Sequence, residues 1–125
     1  MEPYLLQDEE LKELVVKIPG WEIKNEQIQR EFKFLNFIEA FSFMTKVALI
    51  CEKYNHHPNW ENVYSKVIIS LSTHDLGGIT NLDQTLASEI NKVFDQWNHK
   101  FKLIHLKNSS KCQESYYLLR LLVDF

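Results

Sequence analysis

The spacing of apolar residues divides the chain into alternating helix-like and strand-like stretches. From Leu5 to Ile18, Leu11, Leu14, Val15 and Ile18 recur at three- and four-residue intervals. Asp8, Glu9 and Glu10 stand early in that stretch, where a helix dipole favours acids, and Pro19–Gly20 follows it. The pattern predicts a first helix over 5–18, ended by the proline. The period then falls to two. Trp21 and Ile23 alternate with Glu22 and Lys24, and Asn25–Glu26 supplies a turn. Ile28, Arg30, Phe32 and Phe34 then share one face, opposite Gln29, Glu31 and Lys33. This alternation predicts a hairpin of half-buried antiparallel strands. Arg30 interrupts the apolar face, so that face is expected to be only partly covered.

Asn36 followed by Glu39 has the form of a capping box, with Asn in place of Ser or Thr. A long helix is predicted after it. Phe37, Ala40, Phe41, Met44, Ala48 and Cys51 form one apolar stripe, and Ile38, Phe43, Leu49 and Ile50 widen it. A helix apolar around so much of its circumference is usually buried on two sides, and a subunit interface could supply the second. Pro58 ends this segment, because a residue before proline is pushed out of the helical region. Next, Val67, Ile69, Leu71 and Thr73 alternate with Ile68, Ser70, Ser72 and His74. A short strand around Asn62–Tyr64 is expected to pair with this one through a tight turn. After Gly77–Gly78, Thr80 can cap a third helix with Asp83 at its third position. Its stripe is Leu82, Leu86, Ile90, Val93, Phe94 and Trp97.

The expected fold class is α+β, in the order αββαββα. A four-stranded antiparallel sheet with three helices on one face is the economical packing. Residues 1–98 form the predicted domain. Residues 99–125 form a C-terminal extension of unassigned structure, mixing a possible short strand, a polar turn at Asn108–Lys111 and the apolar "YYLLRLLVDF". Left exposed, that decamer would be an aggregation liability.

Composition narrows the function. The chain has 125 residues, one domain's worth, and its formal net charge of −3 gives no basic footprint for nucleic acid. The N-terminus lacks the basic and apolar regions of a signal peptide, and no apolar run reaches the roughly 20 residues a membrane span needs. A cytoplasmic location is the expected default, with the nucleus also open to such a chain. Two cysteines cannot make a four-thiolate zinc site or a disulfide framework. Cys51 is expected to be buried and reduced.

The candidate chemistry lies in "EKYNHHPNW". His56 and His57 follow a helix end, and His74 ends a strand before a glycine loop. Imidazoles exchange protons near neutral pH, and three converging on one pocket would suit general acid–base catalysis. Two other readings stand beside this one. The pair can be an ordinary solvated turn. With Glu52, three imidazoles could also offer zinc nitrogen and oxygen ligands, although no His-x-x-x-His pair shares a helical face. No G-x-S-x-G or phosphate-cradling glycine loop is present. Glu52, one turn before His56, can hydrogen-bond an imidazole or be an exposed acid of the last turn. Trp60 can wall a flat ligand or pack beneath the loop, and Asp75 can bind ligand or serve the turn.

The stretch from Phe43 to Ile90 resembles the pterin-4a-carbinolamine dehydratases, a family that includes the dimerisation cofactor of a homeodomain transcription factor. The matching pattern is Glu52, His56, His57, Pro58, Trp60 and Tyr64, then Thr73–His74, then Gly78, Ile79, Thr80 and Asp83. Gly20–Trp21 and Glu31–Phe34 also agree, so the resemblance spans roughly 5–98. It implies dehydration of a 4a-hydroxytetrahydropterin to the quinonoid dihydropterin, in tetrahydropterin recycling. It implies His56, His57 and His74 as the catalytic residues, with His56 and His57 near the 4a-hydroxyl as general acids and His74 as base or orienting group. Glu52, Pro58, Trp60, Thr73, Asp75 and Leu76 are the expected substrate contacts. No cofactor and no metal are expected. A homodimer or homotetramer is implied, and a protein partner such as a hydroxylase or a transcription factor is the alternative role.

Overall fold

The computed structural model describes residues 1–105. Its elements are α1 (Asp8–Lys17), β1 (Glu22–Lys24), β2 (Gln27–Lys33), α2 (Phe37–Tyr54), β3 (Asn59–Val63), β4 (Lys66–Leu71), a 3-10 turn (His74–Leu76) and α3 (Asn81–His105). The strands form one antiparallel sheet in the order β1-β2-β4-β3, so the two hairpins meet through β2 and β4. The predicted α+β class and element order are therefore observed.

The first hairpin turns at Asn25 and Glu26, both at positive φ, which matches the right-handed twist of paired strands. The inward rows of β2 and β4, Ile28 with Leu71 and Phe32 with Val67, are fully buried. Leu14 of α1, Phe43 and Val47 of α2 and Leu86 and Ile90 of α3 close the same core. The break at Arg30 is filled rather than left open. Its guanidinium lies over the rings of Phe32 and Phe94, at 4.6 and 5.0 Å from their centroids. It donates to Pro19 O (3.1 Å) and Asn91 Oδ1 (2.5 Å). Burial lowers its pKa, and the cation–π and hydrogen-bond contacts offset that cost. Gly20, at φ 90°, leaves room for this side chain: a Cβ there would lie 2.6 Å from Arg30 Nε.

Several local expectations change. The first helix begins at Asp8, not Leu5. Leu5 instead bridges Thr80, and Leu6 N–H donates to Ile79 O (2.9 Å). Glu10 accepts from Gln7 N–H and fixes the later start. Ile23 is 43% exposed because it lies on an edge strand. At α2, Asn36 caps Glu39 N–H as predicted, but the Glu39 carboxylate turns to Leu35 N–H, one residue earlier than a capping box requires. The buried stripe of α2 is Ala40, Phe43, Val47 and Cys51. Phe37 and Phe41, assigned to the core stripe by spacing, are 46% and 54% exposed. So much of α2 is apolar that periodicity did not fix which arc faces the sheet. β3 starts at Asn59 rather than Asn62, and Tyr64 belongs to the turn, at positive φ.

The predicted α3 stripe is observed, with Leu86 and Ile90 fully buried. The helix continues through His105, so residues 99–105 are helical where a short strand had been possible. Phe94, Trp97, Phe101 and Ile104 keep the helical period, which the charged residues between them obscured. The turn at Asn108–Lys111 and the apolar decamer lie outside the described residues. Among the described residues, no helix is long and apolar enough to cross a membrane.

Candidate active site

Local rules place the two adjacent histidines at a rim. Asn55, in the left-handed conformation, closes α2 by donating its N–H to Glu52 O, and His56 N–H returns to Cys51 O (3.0 Å). Pro58 then keeps His57 out of the helical region. The third imidazole comes from the other hairpin. Beyond β4, Thr73 N–H donates to Gly78 O (2.8 Å) and Gly77 N–H to Thr73 O (2.9 Å), drawing the chain into a tight loop. Gly77, at φ 70°, allows that reversal. His74 rides on this loop.

Asp83 ties the two segments together. Its side chain is fully buried, and Oδ2 accepts from Thr80 N–H (2.8 Å) and from the Thr73 hydroxyl (2.9 Å). Its Oδ1 lies 2.5 Å from His56 Nε2. A carboxylate only accepts, so His56 donates to it from Nε2. The His56 side chain is 11% exposed, held between a helix end and the α3 N-terminus. His57 Nε2 meets Glu52 Oε2 at 2.9 Å, with both side chains more than half exposed. An exposed pair of this kind adds little stability. Its effect is to orient the ring.

His56, His57 and His74 line one open hollow of about 270 Å³, together with Asn55, Ser72, Thr73 and Asp75. That is slightly below the range of roughly 300–1,000 Å³ typical of drug-sized ligands, and suits a small bicycle. Glu52 reaches the hollow through His57. Pro58 and Leu76 flank the lining residues in sequence but are not among them. Trp60 stands apart. On β3, in register with Ile69 of β4, it packs partly against the core and lines a separate hollow with Gln29 and Ser70. Among the described residues, no group of three or more His, Cys, Asp or Glu is close enough to hold a metal ion. Cys51 is free and buried, and burial pushes its thiol up to about 11, which removes it from nucleophilic chemistry at neutral pH.

Asn55, Ser72 and Asp83 had not been singled out as site residues. Asp83 had a signal: an Asp at the third position of a capped helix, beside a strand-end histidine. Acids are almost never fully buried unless paired, and only the fold reveals that the partner is His56.

These elements define a small α+β protein with a hollow lined by three imidazoles. The chain belongs to the pterin 4 alpha carbinolamine dehydratase family, whose profile matches residues 4–93. A protein of Prochlorococcus marinus (strain MIT 9312), provisionally named pterin-4-alpha-carbinolamine dehydratase, is 93% identical over 96 residues, 77% of this chain and all of its own length. The similarly named protein of strain NATL2A is 53% identical over 91 residues, 73% of this chain and 96% of its own. The crystal structure of a transcriptional coactivator/pterin dehydratase from Brucella melitensis is 40% identical, with a TM-score of 0.69, over 71% of this chain and 97% of its own.

Proposed function

We propose that this chain dehydrates a 4a-hydroxytetrahydropterin to the quinonoid dihydropterin by histidine acid–base catalysis, without a cofactor. The observation that carries this reading is the convergence of three imidazoles on one hollow, two of them oriented by carboxylates. As the C4a–O bond breaks, the departing hydroxide takes a proton and leaves as water. The neighbouring ring N–H gives up its proton as the C=N bond forms. One group must donate and another accept. His56 is held rigidly by Asp83, while His57 and His74 are exposed at the rim and suit the proton transfers. Thr73, Asp75 and the backbone beside Pro58 and Leu76 supply polar contacts for the pterin edge. A cytosolic enzyme acting on a soluble pterin fits a chain whose described helices cannot cross a membrane. The test is to generate the carbinolamine with an aromatic amino-acid hydroxylase and follow its decay. Acceleration in proportion to added protein is expected, and decay at the buffer rate would refute the reading.

A second reading concerns assembly. Phe37 and Phe41 meet with their rings tilted by 40° and 5.6 Å between centroids while about half exposed, beside exposed Ile38. Such a contiguous apolar patch marks an interaction surface. We assign it to self-association as a homodimer or homotetramer, with a helical protein partner as the competing occupant. Light scattering is expected to give an oligomer for the unmodified chain and a smaller species for Phe41→Glu. An unmodified chain that runs as a monomer at micromolar concentration would exclude self-association.

A further inference from the structure

Thr80 immediately precedes α3 and is fully buried, so it cannot touch a ligand in the hollow. As a helix cap its side chain needs only to accept. Leu82 N–H donates to Thr80 Oγ1 (3.2 Å), and Thr80 N–H donates to Asp83 Oδ2 (2.8 Å). The hydroxyl hydrogen is left for another partner. Thr73 Oγ1 lies 2.8 Å from Thr80 Oγ1 and 2.9 Å from Asp83 Oδ2. Each hydroxyl has one hydrogen, and the carboxylate only accepts. If Thr73 donates to Asp83, the short contact between the threonines requires Thr80 to donate to Thr73. The reverse order would end on the longer 3.2 Å contact from Thr80 to Asp83. The distances therefore favour a chain from Thr80 through Thr73 to Asp83, whose other oxygen meets His56 Nε2.

We propose that Thr80 is a positioning residue for the imidazole-lined hollow, acting through Thr73 and Asp83 on the His56 ring and on the root of the loop that carries His74. Thr73 stands at that root. It directly precedes His74 and bridges Gly78 across the loop. One buried cluster thus joins the segment after α2, the segment after β4 and the start of α3. Thr80 is itself clamped from the N-terminal side. Leu5 bridges it, and Leu6 N–H donates to Ile79 O (2.9 Å). Asn81 N–H donates to Tyr4 O (3.2 Å), and Tyr4 N–H donates to Asn81 Oδ1 (2.8 Å). A cap alone would stabilise α3 and leave the imidazoles free to turn. A buried polar chain with its members satisfied rigidifies what it touches, and its last member here is the carboxylate that orients His56. The effect on rate rests on the proposed dehydration, whereas the effect on the ring does not.

The test compares the unmodified full chain with three variants. Thr80→Val keeps the shape of the side chain and removes its hydroxyl, and Thr80→Ser restores the hydroxyl. Thr80→Gly removes it at little cost to the helix cap, which keeps the test open should the Val chain fail to fold. Exchange of the His56 Nε2 hydrogen with water is followed by 1H–15N NMR, and carbinolamine decay by steady-state kinetics. In the Val and Gly chains, exchange is expected to quicken and kcat to fall, each by about tenfold or more, with KM changed by less than about twofold. The Ser chain should stay within about twofold of the unmodified one in both quantities. A cap alone would lower the unfolding temperature and move neither quantity. Unchanged exchange in the folded Val or Gly chain would overturn the proposal. So would quicker exchange with kcat intact, or a loss in the Ser chain equal to that in Val. If the unmodified chain itself leaves the carbinolamine to decay at the buffer rate, the dehydratase reading falls, and the exchange comparison still decides whether Thr80 positions His56.

Discussion

A chain carrying His57→Ala and His74→Ala together is expected to accelerate carbinolamine decay little or not at all. Removing positioned acid and base groups typically forfeits about 10²–10⁴-fold, which would return the rate towards the uncatalysed one. The fold should survive. Among the described residues, the His57 side chain bonds only to the exposed Glu52, and His74 sits on an exposed 3-10 turn, where substitutions usually change stability by no more than about 0.5 kcal/mol. The measurement is the single-turnover decay of the carbinolamine, with thermal unfolding as control. Full activity in the folded double variant would remove both rings from the chemistry. The two single variants, compared across pH, would then separate donor from acceptor, because losing the acid removes one limb of the pH profile and losing the base removes the other.

Asp83→Ala is expected to damage both stability and rate. The buried carboxylate accepts from Thr80 N–H and the Thr73 hydroxyl and holds His56. Truncation leaves buried donors short of a partner, a loss of about 1–3 kcal/mol, and frees the His56 ring to rotate. Asp83→Asn distinguishes positioning from bulk packing. Its carbonyl oxygen can still accept from Thr80 N–H, while its NH₂ group faces His56 Nε2 and favours the opposite tautomer. Asn should therefore recover most of the stability lost in Ala but little of the kcat. Urea unfolding and steady-state kinetics on the three chains check this. Equal recovery of both quantities by Asn would reduce Asp83 to a helix cap.

How much of this was legible in advance depends on how local each determinant is. The hairpin at Asn25–Glu26, the Thr80 cap and the α3 stripe depend on a few neighbouring residues, and each stands where its period or turn residue places it. The α2 stripe was misplaced because two flanks of that helix are apolar. Its register depends on which arc meets β4 and α3. The start of α1 was misplaced because Leu5 and Leu6 pair with a segment more than seventy residues away. Such a pairing leaves no periodic trace.

The sequence by itself determined the element order, the inward faces of β2, β4 and α3, and the presence of three histidines at element ends with the family's motif around them. Period, capping and turn chemistry are short-range, so they can be read along the chain. Only the tertiary structure decided that the three imidazoles share one hollow, that Asp83 holds His56 while Glu52 takes His57, and that Trp60 lies elsewhere. Those facts depend on packing the end of α2 against the start of α3 and the loop after β4. Long-range packing chooses among local possibilities that the sequence leaves equivalent.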